Sequence, residues 1–224
     1  MSLELKKRIS TSIILFIFAL FSISISKTFF LVTCGVVSMI CFGEWVKINL
    51  KLVRKKQLIN YVITIFGFIY LFLIFFTTAI SLRGQNTESI IFFIFVLCIC
   101  ISSDVGGYVF GKTIGGKKLT KISPNKTIAG MVGSFIFSPL PLLLFNFINY
   151  LDFIFEISLK NILFCLIISL FCQLGDLLIS YFKRLNNIKD AGTILPGHGG
   201  LLDRIDGIIF SIPAAFILTS TQIF

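Results

Sequence analysis

Four aspartates occupy positions where an apolar chain rarely carries charge. Asp104 and Asp176 lie within long apolar stretches, and Asp203 and Asp206 begin the last such stretch, three residues apart and therefore on one helical face. A carboxylate within a membrane costs several kcal/mol unless it is paired, hydrated or bound to a cation, so each of these residues is a functional candidate. Oxygen ligands without a cysteine or histidine cluster suit a hard cation such as Mg²⁺. The four residues therefore predict a magnesium site at one edge of a membrane domain.

Two of these aspartates also have a structural alternative, an ion pair with a nearby basic residue. Asp176 has Lys183 and Arg184 within reach along the chain, and Asp203 has Arg204. The functional interpretation is favoured because all four carboxylates are expected within about two helical turns of one membrane face. Three of them also flank a single connection between spans.

This connection combines glycine, basic residues and the single histidine of the chain. Its segment 196–200, Pro-Gly-His-Gly-Gly, cannot continue a helix and predicts a tight turn whose backbone amides can face an anion. A helix then begins, and a helix N-terminus also favours anions. A plain basic loop would explain the lysines but not the Asp-Arg-Ile-Asp sequence at 203–206. The connection thus predicts a phosphate site beside the metal site.

Transmembrane helices must position these residues. The 224 residues are 56% hydrophobic and 13% charged, with a mean hydropathy of +1.00, whereas soluble domains are about half apolar and about a quarter charged. This composition excludes a water-soluble domain and intrinsic disorder. We expect an all-α polytopic transmembrane helical bundle that forms a single integral-membrane domain over 1–224. About seven spans are predicted, at 10–26, 28–46, 59–81, 89–110, 128–149, 159–182 and 203–222.

The net charge of +10 reflects membrane topology rather than nucleic-acid binding. Seventeen of the twenty lysines and arginines fall in the N-terminal tail and in every second connection, the exceptions being Lys27, Arg83 and Lys160. Positive residues collect on the cytoplasmic side during insertion, which predicts a cytoplasmic N-terminus and no nucleic-acid partner. The first span has the basic lead of a signal peptide but no small-residue cleavage site before the second span, so we expect it to be retained.

Residues 106–113 satisfy the P-loop pattern G-x4-G-K-T. A P-loop needs a β-strand before it and a helix after it, whereas this segment straddles the end of an apolar span. We therefore expect no P-loop here, although Lys112 could meet a nucleotide phosphate as a point charge.

Residues 180–206 resemble the signature of the phosphatidate cytidylyltransferase (CDP-diacylglycerol synthase) family, S-x-x-K-R-x4-K-D-x-G-x3-P-G-H-G-G-x-x-D-R-x-D, at every fixed position. A second region, 104–127, is similar to the family's D-x-x-A-Y…G…G-K-x-K-L…I-S-P-K-K-T. Glu44-Trp45 at the end of the second span also fits the family. The chain departs from the family pattern at Ala129 and Ile179, where a glutamate is usual, and at Gly107, where alanine is usual.

The resemblance implies nucleotidyl transfer in which CTP and phosphatidate give CDP-diacylglycerol and pyrophosphate. A phosphate monoester carries about −1.5 to −2 charge, so its oxygen is already a nucleophile, and catalysis depends on positioning and charge neutralisation. The resemblance further implies Mg²⁺ with a second cation, the lipid bilayer as surroundings and a homodimer. It also implies a bacterial-type inner membrane with the active site facing the cytoplasm.

The resemblance also assigns roles to individual residues. Asp176, Asp203 and Asp206 are expected to hold magnesium, with Asp104 as a further candidate ligand. His198 either donates a hydrogen bond to a phosphate or pins the turn. The other expected site residues are cations that neutralise phosphates, serines that donate hydrogen bonds and glycines that approach substrate: Lys183, Arg184, Lys189, Arg204, Lys117, Lys118, Lys126, Ser123, Ser180, Gly199 and Gly200.

Two other functions fit part of the pattern. A related enzyme that activates a different lipid phosphate or a polyprenyl phosphate with CTP would share the logic of the signature. A transporter would also place carboxylates within spans, but it would need polar groups through the full membrane depth. In this chain the polar groups gather on one side, which favours the enzyme.

Overall fold

The computed structural model describes residues 3–50, 57–120, 123, 126–148, 155–195 and 199–221. Within these ranges the regular structure is helical, and strand-like pairing is limited to isolated bridges from Lys118 to Thr127 and from Leu195 to Gly199. The predicted all-α class is confirmed. The helices are α1 (Leu3–Ile25), α2 (Lys27–Leu50), α3 (Gln57–Phe68), a π-helical segment (Ile69–Phe75), α4 (Phe76–Arg83), α5 (Thr87–Thr113), α6 (Ile128–Phe137), α7 (Leu140–Ile148), α8 (Leu159–Leu185) and α9 (Leu202–Ser220).

The helices agree with the predicted membrane spans. In the described part of the chain, five segments are long and apolar enough to cross a membrane, and they coincide with the second to sixth predicted spans. α1 contributes a shorter apolar segment, Ile13–Ile25. α9 coincides with the seventh predicted span and carries Asp203, Arg204 and Asp206 in its first two turns. The chain is therefore a polytopic membrane bundle whose last helix begins with charged residues.

Glycines allow α5 and α6 to cross in close contact. A Cβ on Gly130 would lie 2.8 Å from the Gly107 carbonyl oxygen, and a Cβ on Gly133 would lie 2.6 Å from the Gly106 carbonyl oxygen. Both distances are shorter than a van der Waals contact, so the crossing needs residues without a side chain. Residues 106–113 lie within α5, which confirms that they form no P-loop and shows that their first two glycines serve helix packing.

A second glycine contact joins α8 to α9. A Cβ on Gly175 would lie 2.5 Å from the Asp206 carbonyl oxygen, and a Cβ on Gly207 would lie 3.0 Å from the Cys172 carbonyl oxygen. Asp176 and Asp206 are each next to one of these glycines in the chain. The contact therefore brings the two carboxylates onto neighbouring helices at the same level of the bundle.

Replacing Gly133 with alanine should destabilise the bundle. The added methyl group would meet Phe110 and the Gly106 carbonyl oxygen, and overpacking of this kind costs about 1–3 kcal/mol. Gly43→Ala is the matched control, because a Cβ at Gly43 meets nothing within 4 Å, and alanine is favoured over glycine in a helix by about 1 kcal/mol. Thermal unfolding in detergent should show a lower midpoint for Gly133→Ala and an equal or higher midpoint for Gly43→Ala. Equal midpoints for both variants would contradict the close crossing.

Candidate active site

A cavity of about 290 Å³ lies between α5, α6 and α8. Its polar lining includes Asp104 from α5, Asp176 from α8, and Ser123 and Lys126 from the segment that precedes α6. The structure thus brings together four residues that the sequence analysis selected from three separate segments. The cavity combines carboxylates, a lysine and a hydroxyl group, which are the groups expected at a site for phosphates and a cation.

Lys126 forms an ion pair with Asp176 beside this cavity. Ser180, one turn further along α8, donates a hydrogen bond to the other oxygen of the carboxylate, with 3.2 Å between Oγ and Oδ1. The side chains of Lys126 and Asp176 are 26% and 34% exposed, so the pair remains accessible from the cavity. The alternative pairing of Asp176 with Lys183 or Arg184 is wrong, because its partner comes from the segment before α6.

Short-range hydrogen bonds hold Lys126 in place. The side chain of Thr127 caps α6 by accepting a hydrogen bond from the Gly130 amide at 3.0 Å. The Lys126 amide donates to the Ser123 carbonyl oxygen at 3.0 Å, and the Leu119 amide donates to the Lys126 carbonyl oxygen at 2.8 Å. These bonds join Lys126 to Leu119 and Ser123 beside the cavity.

Asp104 and Asp206 add two carboxylates near Asp176. Oδ1 of Asp104 lies 3.9 Å from the sulfur of Cys172, and Oδ1 of Asp206 accepts a hydrogen bond from the following backbone amide at 2.9 Å. Each interacts electrostatically with Asp176. Neither has an ion-pair partner within the described residues. The lysines nearest to Asp104 and Asp206 are Lys126 and Lys183, and these are already paired with Asp176 and Asp203.

Asp203 has a different environment. Its Oδ1 lies 2.6 Å from Nζ of Lys183, in an ion pair whose side chains are 8% and 10% exposed respectively. Its Oδ2 accepts hydrogen bonds from the backbone amides of Ala191 at 2.7 Å and Gly200 at 3.1 Å. Asp203 therefore anchors the connection between α8 and α9. It pairs with Lys183 and not with the Arg204 that the structural alternative named.

A fifth carboxylate, Glu44 on α2, is missing from the predicted site residues. It is 1% exposed and accepts hydrogen bonds from the backbone amides of Leu201 at 3.1 Å and Leu202 at 2.8 Å. The start of α9, where the sequence predicts a phosphate site, is thus capped by the protein's own carboxylate. Glu44 lies within the predicted span 28–46, and a carboxylate at membrane depth is the signal that identifies it.

Comparison with known proteins identifies the family. A sequence model of the cytidylyltransferase family matches residues 50–222, which include the cavity and the connection between α8 and α9. The chain belongs to this family. The resemblance based on the 180–206 signature is therefore confirmed.

Curated members of the cytidylyltransferase family with similar sequences are named phosphatidate cytidylyltransferase. The protein from Staphylococcus saprophyticus is 40% identical over 155 residues, which cover 68% of this chain and 54% of the relative. The protein from Rickettsia bellii is 45% identical over 126 residues, which cover 54% of both chains. The protein from Staphylococcus aureus is 43% identical over 136 residues, covering 59% of this chain and 50% of the relative. The chain spans about half the length of the curated relatives it matches.

The structure shows the environments of the residues that depart from the cytidylyltransferase pattern. Ile179 is 5% exposed and packs in an apolar region with Trp45, one helical turn before the buried Lys183. Ala129 lies half-buried in the first turn of α6. Gly107 leaves room for Ser134, because a Cβ at position 107 would lie 2.6 Å from the Ser134 hydroxyl oxygen. The site of this member is therefore built without the two usual glutamates.

The glycines and the other basic residues of the predicted site do not line the cavity. Gly199 has a φ of +84°, a conformation that favours glycine, and its carbonyl oxygen accepts a hydrogen bond from the Leu195 amide at 2.9 Å. His198 lies outside the described residues. The remaining predicted basic residues are exposed: Lys117, Lys118, Arg184, Lys189 and Arg204.

Asp203→Asn and Asp206→Asn should have different effects on stability. Asp203→Asn breaks a buried ion pair with Lys183, and the loss of one partner of such a pair costs about 3–5 kcal/mol. Asp206→Asn breaks no ion pair within the described ranges, so the unfolding midpoint should stay close to that of the wild-type chain. Thermal unfolding in detergent with EDTA measures both midpoints. Equal losses in the two variants would contradict the separate environments.

Proposed function

We propose that this chain transfers CMP from CTP to phosphatidate, giving CDP-diacylglycerol and pyrophosphate. The observation that carries the proposal is the shared lining of one cavity by Asp104, Asp176 and Lys126, in a bundle of apolar helices. The name of the curated relatives and the intact signature at 180–206 support it. Another lipid phosphate or a polyprenyl phosphate would use the same chemistry, so the experiment below compares acceptors.

The main barrier to this reaction is the approach of two polyanions. The phosphatidate monoester carries about −1.5 to −2 charge, and CTP carries more, so neutralisation and alignment supply most of the catalysis. Lys126 is partly exposed in its pair with Asp176 and can exchange the carboxylate for a phosphate oxygen. Lys183 is held by Asp203 and orients the connection. Further positive charge for the phosphates comes from exposed residues: Lys117, Lys118, Arg184, Lys189 and Arg204.

The oxygen atoms of the site fit magnesium. Among the described residues, no three acidic, histidine or cysteine side chains converge closely enough to hold an ion by themselves. Mg²⁺, however, is usually bound by one or two carboxylates together with substrate phosphates. Asp176, Asp104 and Asp206 supply such carboxylates, and Oδ1 of Asp203 can accept a second contact besides Lys183. Magnesium bound there would neutralise charge on the triphosphate, and the proposal includes a second cation beside it.

Hydroxyl and amide donors complete the proposed site. Ser123 lines the cavity and Ser180 contacts Asp176, so both hydroxyl groups can donate hydrogen bonds to a phosphate. The Gly200 amide is engaged by Asp203, and we therefore assign Gly199 and Gly200 to the shape of the connection. His198 keeps its two proposed roles, as a donor to phosphate or as a residue that pins the turn.

The lipid substrate explains why the site lies in a membrane domain. Diacylglycerol chains can stay in the bilayer while the headgroup reaches the cavity. The proposal includes a bacterial-type inner membrane, a cytoplasmic N-terminus and a cytoplasmic active site, supported by the distribution of lysine and arginine. A homodimer is proposed from the family alone.

The purified chain should transfer radiolabelled CMP from CTP into lipid when phosphatidate and Mg²⁺ are present. Incorporation should stop with EDTA, because the phosphates then lack their divalent counter-ion. Incorporation with polyprenyl phosphate but not phosphatidate would assign the other acceptor. No incorporation with either lipid would overturn the proposal.

Asp176→Asn should lower kcat/KM for CTP by about 10²–10³-fold, the usual effect of removing one group that stabilises transition-state charge. Glu88→Gln is the matched control, because Glu88 is an exposed acid at the opposite end of α5 from Asp104. Turnover in Asp176→Asn equal to that of the wild-type chain would contradict the proposed metal and phosphate site.

Cysteine labelling tests the proposed orientation. Thr193 and Gln85 are exposed in connections at opposite ends of the bundle. In intact spheroplasts, an impermeant maleimide should label Gln85→Cys, and it should label Thr193→Cys only after permeabilisation. Wild-type protein is the control for its own cysteines, which are buried or half-buried. The reverse pattern would place the proposed site outside the cell.

A further inference from the structure

Glu44 is a buried carboxylate that the proposed reaction does not use. Its Oε1 accepts a hydrogen bond from the Leu201 amide and its Oε2 accepts one from the Leu202 amide, at 3.1 Å and 2.8 Å. Leu201 precedes α9 in a helical conformation, and no side chain of its own caps the helix. The N-terminus of α9 is therefore capped by α2, from 157 positions earlier in the chain.

Two glycines of the connection make room for the Glu44 side chain. A Cβ on Gly192 would have three atoms of Glu44 as its nearest neighbours, including Cδ at 2.9 Å. A Cβ on Gly200 would lie 2.6 Å from Oε2 of Glu44. Neither glycine has a positive φ, so backbone conformation does not demand glycine at these positions. The approach of the Glu44 carboxylate is the physical reason for Gly192, and at Gly200 it acts together with the Gly192 backbone nitrogen, which would lie 2.7 Å from the added Cβ.

Glu44 and Asp203 together satisfy four backbone amides of the connection and of the start of α9. Asp203 accepts from Ala191 and Gly200, and Glu44 accepts from Leu201 and Leu202. These are the amides that a phosphate would otherwise use. A phosphate placed there would face two carboxylates, so substrate phosphates belong on the cavity side of the connection.

We infer that Glu44 is a positioning residue for the cytidylyltransferase site. It holds the start of α9 so that Asp203 and Asp206 stay aligned with α8, and its carboxylate occupies the space that a side chain at residue 192 would need. This inference rests on the proposed function where its readout is CTP turnover. Glu44 itself contacts neither CTP nor lipid.

Glu44→Gln keeps the size of the side chain but turns one oxygen acceptor into an amide that faces a backbone N–H group. Misplacement of α9 should lower kcat by about tenfold or more, whereas KM for CTP should stay within about threefold, because no substrate contact is lost. Glu88→Gln, an exposed substitution of the same type, should leave both values at wild type. A rise in KM with kcat unchanged would instead make Glu44 a substrate-binding residue and overturn the inference.

A double-mutant cycle tests the link between Glu44 and Gly192. Gly192→Ala should lower kcat about tenfold in the wild-type chain but only about twofold in Glu44→Asp, where the carboxylate is one methylene shorter. An equal loss in both backgrounds would show that Gly192 acts through something other than Glu44, such as substrate approach, and would overturn the inference.

The same cycle has a readout that is independent of the reaction. Gly192→Ala should lower the thermal unfolding midpoint in the wild-type chain and should have much less effect in Glu44→Asp. If wild-type protein fails to turn over CTP, the proposed function fails, and these midpoints alone still decide whether Glu44 positions the connection. Additive midpoints would refute the role of Glu44 even in an active enzyme.

Discussion

Carboxylates that are buried in an apolar helical bundle need hydrogen-bond donors or a cation beside them. The donors and cations that meet these carboxylates join distant parts of the chain. Glu44 and Asp203 are satisfied by backbone amides, and Asp203 also by Lys183. Because leaving such a charge unpaired would be costly, these contacts determine how α2, α8 and α9 fit together. The last helix is therefore positioned by hydrogen bonds as well as by apolar packing.

A second group of carboxylates remains less well compensated, and this difference separates structural from reactive residues. Asp176 pairs with the partly exposed Lys126, while Asp104 and Asp206 have no ion-pair partner in the part of the chain that the structure describes. The glycine contact between α8 and α9 places Asp176 and Asp206 on neighbouring helices at the same level. A site of this kind gains from a divalent cation and from phosphates that bring further positive charge with them, which suits nucleotidyl transfer between two polyanions.

Much of this architecture could be predicted from the chain alone. The spans follow from apolar segments of bilayer length, and four residues that the sequence pointed to, Asp104, Asp176, Ser123 and Lys126, line one cavity. The ion-pair partners could not be predicted in the same way. The basic residues nearest to Asp176 along the chain lie on its own helix, whereas its partner, Lys126, comes from the segment before α6.

The sequence by itself determines the all-α class, the positions of the membrane spans and the types of side chain available for chemistry. These properties depend on the length and composition of local segments. Tertiary structure alone decided which lysine each carboxylate meets and which anion caps α9. Those outcomes depend on helix crossings at Gly130 and Gly175 and on the reach of Glu44 from α2. No local pattern encodes them, since the partners are far apart in the chain and come together only when the helices pack.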